Sequence, residues 1–293
     1  MRSTLSDVSP ERLAPAPELP IEVPVADRAA RRERVLRIVA PLGIGLAALA
    51  LWEAIVRINE IPHYILPGPI LVLQALINDW GTLYPSLLIT LQITFMALAV
   101  ATIGGVGLAI LFTTSKWIEL SFFPFAVILQ VTPIIAIAPL ILIYVDNTHL
   151  ALLICAWIVA FFPILSNTTL GLSSADHNLR DLFQLYGANR WQTLLYLRLP
   201  AAMPYFLGGL KIAGGLALIG AIVAEFAAGT AGTGSGLAYR ILEAGYRLNI
   251  PRLFAALILI SLTGIAIYLV LSLVSHLILR KWHESAMKRS GGR

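Results

Sequence analysis

The side chains able to do chemistry in this chain are few and scattered. Five histidines, His63, His149, His177, His276 and His283, stand isolated in the sequence. None falls into a His-Glu-x-x-His spacing, so a helical pair of imidazoles holding zinc beside a general base is excluded, and each reads as an interfacial side chain. A phosphate cradle needs a glycine-rich loop running into Gly-Lys-Ser/Thr. Gly229, Gly232, Gly234 and Gly236 come nearest, but nothing of that kind follows them, and they read as a flexible turn. Cys155 is the sole cysteine and lies in an apolar run, where a thiol behaves as a small hydrophobe. Disulfides within one chain and cysteine-metal sites are thereby excluded. With no nucleophile paired to a base and no metal set, the chain is expected to bind no cofactor and to catalyse nothing by itself.

What remains is the chemistry of binding and passage. Gln92, Gln130, Thr132 and Asn167 sit within long apolar runs, with Trp157 and Tyr144 as rings on which a flat solute could stack. A polar group inside a bilayer is a functional candidate by default, yet hydrogen bonding to a neighbouring helix is an equally physical use. Pro133 and Pro139 interrupt a helical hydrogen-bond ladder, which either exposes carbonyls to a passing solute or kinks the helix against a neighbour. Glu225 lies far enough beyond Pro204 to travel about 30 Å at roughly 1.5 Å per residue. It is expected near the outer surface, as an interfacial anchor or a contact for another protein rather than a buried proton carrier.

The elements that must carry these groups follow from composition. Of 293 residues, 58% are hydrophobic and 13% charged, against about a quarter charged in soluble domains, so most of the surface cannot face water. Six apolar runs of spanning length occur at about residues 35–58, 83–112, 118–145, 150–170, 204–228 and 253–279. This predicts an all-α integral membrane protein with six transmembrane helices in a domain over residues 35–282. Residues 1–34, rich in proline at their start, read as a disordered cytoplasmic tail, and 283–293 as a cytoplasmic C-terminal tail. Gly104, Gly105, Gly107, Gly214, Gly215 and Gly220 predict close helix approach.

Lysine and arginine outnumber aspartate and glutamate 21 to 16. They cluster at the chain ends and beside alternate connections, as at Arg31, Arg32, Arg34, Lys116, Arg180, Arg190, Arg198, Arg280 and Lys281. The short-loop rule then places both ends inside, N-in and C-in. A basic stripe with interleaved aromatics on a water-facing surface is absent, so no nucleic-acid partner is expected. Residues 236–250 are amphipathic, with Glu243 able to pair with Arg247 at i,i+4, and are expected as an external interfacial helix.

The inner connection at residues 176–200 is not composed like a loop. Leu179, Leu182, Phe183, Tyr186, Trp191, Leu194 and Leu195 follow an amphipathic pattern, broken at Gly187 and closed by Pro200 and Pro204. Two short helices with a glycine turn fit. Periodicity leaves two uses open: helices resting on lipid headgroups, or a docking element whose apolar knobs fit a partner's groove.

The spacing from Gly187 to Leu197-Arg198-Leu199-Pro200 resembles the cytoplasmic signature of permease subunits of bacterial ABC importers. That signature reads Glu-Ala-Ala, three residues, Gly, nine residues, Ile-x-Leu-Pro. Asp181 takes the Glu position, Leu182 and Phe183 replace the alanines, and Leu197 replaces the Ile. Leu66-Pro67-Gly68-Pro69, Pro133, Ala138-Pro139-Leu140, Gly208-Gly209-Leu210-Lys211 and Ala224-Glu225 are also similar to this family. Its nearest branch imports nitrate, sulfonates, taurine, bicarbonate or thiamine-precursor pyrimidines.

The resemblance implies a homodimer in the bacterial plasma membrane, two copies of a separate ATPase subunit that binds ATP and Mg, and an extracytoplasmic solute-binding protein. It assigns Asp181, Gly187, Trp191, Leu197, Leu199 and Pro200 to the ATPase-coupling segment between the fourth and fifth spans. Gln92, Gln130, Thr132, Pro133, Trp157 and Asn167 become candidates for the translocation path, and Glu225 a candidate binding-protein contact. Gly187 is expected to supply a turn and close approach, and Asp181 a helix cap or a partner contact. The competing class, an ion-coupled secondary transporter, would show paired intramembrane ionisable groups and a repeated half. Neither is visible in the sequence.

Overall fold

The computed structural model describes residues 25–229 and 234–280, with side chains from residue 39 onward. Residues 1–24 of the expected N-terminal tail and all of 283–293 lie outside that range. Among the described residues every regular element is a helix.

Helix α1 (Val25–Ile58) begins before the expected boundary at residue 35. The stretch Ala26-Asp27-Arg28-Ala29-Ala30-Arg31-Arg32-Glu33-Arg34 explains this, because alanine and straight-chain residues favour helix. Among the described residues, α1 through Ile55 forms a unit of its own, and Leu42, Ile44 and Leu46 are exposed on it, a surface suited to lipid rather than water.

The second unit starts at Val56. It holds α2 (Pro69–Asn78), α3 (Trp80–Thr114), α4 (Lys116–Val131), α5 (Ile134–Tyr144), α6 (Thr148–Ser173), α7 (His177–Leu185), α8 (Arg190–Thr193), α9 (Leu199–Ala228), α10 (Leu237–Tyr246) and α11 (Ile250–Leu279). Its core lies where α6 meets α9 and α3. Ala160, Ile164, Leu165 and Leu172 pack with Ala101, Ala202, Ala213 and Ala217.

Small residues let these backbones approach. A Cβ at Gly220 would stand 2.8 Å from Ala156 Cα, one at Gly209 would meet Pro163 O at 2.7 Å, and one at Gly105 would meet Ile164 Cγ2 at 2.9 Å. Gly107 and Gly215, expected in the same role, face open space. Gly220→Ala is therefore expected to lower stability by about 1–3 kcal/mol, since backbone has to move. Gly215→Ala should leave stability unchanged or slightly higher. Unfolding of the two purified variants in the same detergent checks the contrast.

Among the described residues, five helices can cross a membrane by length and composition, or six when α4 and α5 count as one crossing. The expected third span is not continuous: α4 and α5 meet at 102°. Pro133 has no N–H to continue the ladder, and the residue before a proline is driven out of the helical region; Thr132 is extended at φ −72°, ψ 123°. Pro139 lies inside α5 and does not end it.

Pro200 and Pro204 do not close the amphipathic segment as expected. Helical structure runs from Arg190 to Ala228, with a π-helical turn over Leu194–Arg198 in which the Leu199 N–H donates to Leu194 O. The widened turn makes room for the Pro200 ring inside this continuous run, at the loss of one helical hydrogen bond, and Pro204 lies inside α9.

Candidate functional site

Two constructions stand at opposite ends of α3. At its C-terminal end lies the segment singled out by its glycine spacing. The Asp176 carboxylate caps α7, accepting from the Asn178 N–H at 2.8 Å. Asp181 is therefore not a cap; it sits exposed within α7. Arg180 Nη2 donates to Ser173 O at 3.0 Å, tying α7 to the end of α6.

Helix α7 ends at Gly187, whose φ of +70° is a left-handed conformation that favours glycine. The Gly187 N–H donates to Gln184 O and the Ala188 N–H to Phe183 O, both at 2.9 Å, the paired bonds of a Schellman ending. A Cβ on Gly187 would meet nothing within 4 Å. The glycine thus serves the turn, and the expected close approach is absent within this chain.

Helix α8 starts from a capping box. Asn189 Oδ1 accepts from the Gln192 N–H, and Gln192 Oε1 accepts from the Asn189 N–H, both at 2.8 Å. The Asn-x-x-Gln spacing is the local signal in the sequence for this helix start. Leu194 and Leu197 are buried, and Leu199 and Pro200 are half-buried. Leu182, Leu185, Tyr186, Trp191 and Tyr196 are exposed, Leu185 and Tyr186 at 84%. Beneath the pair, a cavity of about 430 Å³ is lined by Thr113, Thr114, Gln184, Trp191, Leu194 and Arg198 among others. Buried leucines on one side and exposed aromatics on the other give a stiff apolar platform.

At the N-terminal end of α3, Glu225 corrects its expectation of an outward-facing contact. Its side chain is 3% exposed. Thr90 Oγ1 donates to Glu225 Oε1 at 2.8 Å, the Ala238 N–H donates to Oε2 at 2.9 Å, and the Leu237 N–H donates to Thr90 Oγ1 at 2.9 Å. The reason is tertiary: α10 begins at Leu237, its first N–H groups lack intrahelical acceptors, and packing of α9 against it brings the carboxylate that supplies one. Gly236 makes room, since a Cβ there would lie 2.0 Å from Glu225 Oε1.

Further along α10, Arg240 Nε donates to Ser86 Oγ at 2.8 Å, and Glu243 pairs with Arg240 at 2.8 Å and with Arg247 at 3.0 Å. The hydrogen bond from Arg240, reinforced by the surrounding guanidinium charges, holds the Glu243 carboxyl below its ordinary pKa. Asp79 takes two hydrogen bonds from the Arg252 guanidinium, joining the start of α3 to the start of α11. A cavity of about 550 Å³ opens here, lined by Ser86, Ser235, Tyr239, Arg240, Glu243 and Arg247 among others.

The residues singled out as a path are not gathered into either cavity. Gln92 and Gln130 are exposed on their helices. Thr132 Oγ1 donates back to Ile128 O at 2.6 Å beside Pro133 at the bend. Trp157 packs on Phe161 with ring centroids 5.1 Å apart, and its Nε1 has no hydrogen-bond partner among the described residues. Asn167 Nδ2 donates to Pro163 O at 2.8 Å, beside Gly209 of α9. Thr90, Ser86 and Asp79 carried no local signal in the sequence, and Gly236 was read there only as part of a flexible turn at the start of an amphipathic run.

Residues 101–288 match the family described as the binding-protein-dependent transport system inner membrane component. The chain is 30% identical to a probable ABC transporter permease protein of Haemophilus influenzae, over 82% of this chain and 97% of that protein. It is 32% identical to the riboflavin transport system permease protein of Chloroflexus aurantiacus, covering 81% and 87% of the two chains. It is likewise 32% identical to the formylaminopyrimidine transport permease protein of Halalkalibacterium halodurans, covering 75% and 86%. A crystal structure of an amino acid ABC transporter with histidines matches with a TM-score of 0.57 at 18% identity, over 70% of this chain and 96% of that one, which shows a shared fold. None of these comparisons supports an ion-coupled transporter.

Proposed function

Because the chain belongs to the family of inner-membrane components of binding-protein-dependent transport systems, as a permease subunit of an ABC importer, we propose that it forms the translocation path for a small polar solute as a homodimer. Each copy docks one separate ATPase subunit, which binds ATP and Mg, and an extracytoplasmic binding protein delivers the solute. The family match over most of the chain carries this reading. Sulfonates, nitrate and thiamine-precursor pyrimidines are the solute classes we propose, the last in keeping with the formylaminopyrimidine permease among the relatives.

In this scheme the bent pair α4 and α5 counts as one of six crossings, both ends face the cytoplasm of a bacterial plasma membrane, and residues 283–293 form a cytoplasmic tail. The platform of α7 and α8 is the coupling element. Gly187 turns the chain, Trp191 and Asp181 meet the ATPase, and Leu197, Leu199 and Pro200 join the platform to α9. Closure of the ATPase pair moves the platform as a rigid body, and the spans rock between outward and inward openings. Gln92, Gln130, Thr132, Pro133, Trp157 and Asn167 remain the proposed path candidates.

The test is reconstitution in liposomes. With the co-purifying ATPase and its binding protein, the permease should accumulate solute only when ATP is supplied. Uphill uptake by this chain alone, driven by an ion gradient and without any nucleotide-hydrolysing companion, would overturn the reading.

A further inference from the structure

Glu225 of α9 has no part in that scheme, yet two other helices, α3 and α10, converge on its carboxylate. An acidic side chain within an apolar helix is costly unless every oxygen finds a donor. Here Thr90 donates from α3, Ala238 donates from the first turn of α10, and Leu237 closes the ring through Thr90. The helix start also favours negative charge beside it. No side chain can intrude, because the Cβ that Gly236 lacks would fall within 2.3 Å of all three carboxyl heavy atoms.

Helix α10 ends in strained backbone: just after it, Leu248 adopts φ +54°, a strained value for a residue with a Cβ. Its buried face, Leu237 with Ala244, rests against the unit, and Leu237 packs with Val72, Leu83, Ala255, Ala256 and Leu259. Glu225 lies near the C-terminal end of α9, whose N-terminal end continues through the π-helical turn into α8. One helical run, Arg190–Ala228, therefore joins the proposed docking platform to the carboxylate that holds α10.

We propose that Glu225 is a positioning residue for transport: its carboxylate latches α10 over the N-terminal end of α3, and displacement of α9 opens and recloses that latch in each cycle, making α10 a moving gate. This rests on the importer reading. A push on the platform travels along α9 and shifts Glu225 relative to Thr90, breaking the bonds that a fixed loop would keep.

Ala244 is fully buried on α10, so a cysteine there reports whether α10 has lifted. The complete importer in nanodiscs, in a Cys155→Ser background, is treated with a water-soluble maleimide. At rest Ala244→Cys labels slowly; trapped with vanadate, ATP and binding protein, it labels about tenfold faster, as local opening predicts. Glu225→Gln and Thr90→Val label fast without nucleotide, and Thr90→Ser, which keeps the hydroxyl, restores protection. Ala156→Cys, buried between α6 and α9, stays protected throughout, separating latch opening from unfolding.

Protection of Ala244→Cys in the trapped state, in a preparation whose ATPase the binding protein stimulates before vanadate is added, overturns the gate and leaves α10 a fixed brace. Equal labelling of Glu225→Gln and the parent protein in the isolated permease overturns the latch itself. Failure of the ATPase to associate strikes the importer reading instead, and the isolated-permease comparison still decides the latch.

Discussion

A Gly187→Arg protein is expected to reach the membrane in normal amount and to lose nearly all coupling to its ATPase. Two effects combine. The left-handed backbone at Gly187, φ +70°, costs about 1–2 kcal/mol for a residue with a Cβ. That strain is local and falls on the end of a short helix, so the packed core of α6 and α9 is untouched. The second effect is larger: a Cβ at this position meets nothing within the chain, so the guanidinium projects from the exposed platform of Leu185, Tyr186 and Trp191, where the proposed partner sits. Apolar interfaces are intolerant of a charge buried without a counter-ion.

The comparison series makes the result specific. Gly187→Asn, which tolerates the left-handed region, should retain most activity, Gly187→Ala should lose some, and Gly187→Arg should fail. Membrane abundance, ATPase co-purification and solute uptake are measured on the same preparations. Normal ATPase stimulation by Gly187→Arg would remove the platform from the mechanism.

The second large effect is expected at Gly236. Alanine there would place a Cβ 2.0 Å from Glu225 Oε1 and 2.2 Å from Cδ, a separation no pair of non-bonded atoms adopts. Either α10 shifts or the carboxylate leaves Ala238 and Thr90, and a buried carboxylate deprived of its donors destabilises by about 3 kcal/mol or more. Gly236→Ala is expected to abolish uptake and to lower the unfolding temperature of the purified protein.

A double-variant cycle assigns the cause. In a Glu225→Ala background the same substitution has lost its clash, so its cost should fall by more than about 1 kcal/mol, the coupling expected of residues in contact. Additive effects of the two changes would mean that Gly236 matters for its backbone alone.

The long helices were legible because hydropathy acts residue by residue over twenty or more positions; five of the long apolar runs appear as long helices, with α1 beginning ten residues early at Val25 and the other four shifted by five residues or fewer. The glycine turn and the pair α7 and α8 were legible from Gly187 and the amphipathic pattern around it. The bend between α4 and α5 was announced by Pro133, but not its size, because a proline removes one hydrogen bond and leaves the new direction to the surrounding contacts. The continuity of α8 into α9 contradicted a sound local rule: a π-helical turn made room for Pro200, and no periodicity records that.

Glu225 shows where spacing ceases to inform. Counting along α9 placed it near an end of the helix, and from there exposure was the natural expectation. Its burial depends on Thr90 and Ala238, which lie 135 and 13 residues away. Nothing in the sequence distinguishes Thr90, which reaches a carboxylate besides its own helix carbonyl at Ser86, from Thr132, which bonds back to Ile128 O.

What the sequence alone determined is the solvent of this chain: apolar runs long enough to cross a bilayer, a flanking pattern of cationic residues, and an amphipathic elbow turned on a glycine. These are sums over neighbours in the chain, so they survive without knowledge of the fold. The tertiary structure alone decided which polar groups are spent on holding helices together. A hydrogen bond within a helix is set by local geometry, but one between α3, α9 and α10 exists only once packing has brought distant residues within 3 Å.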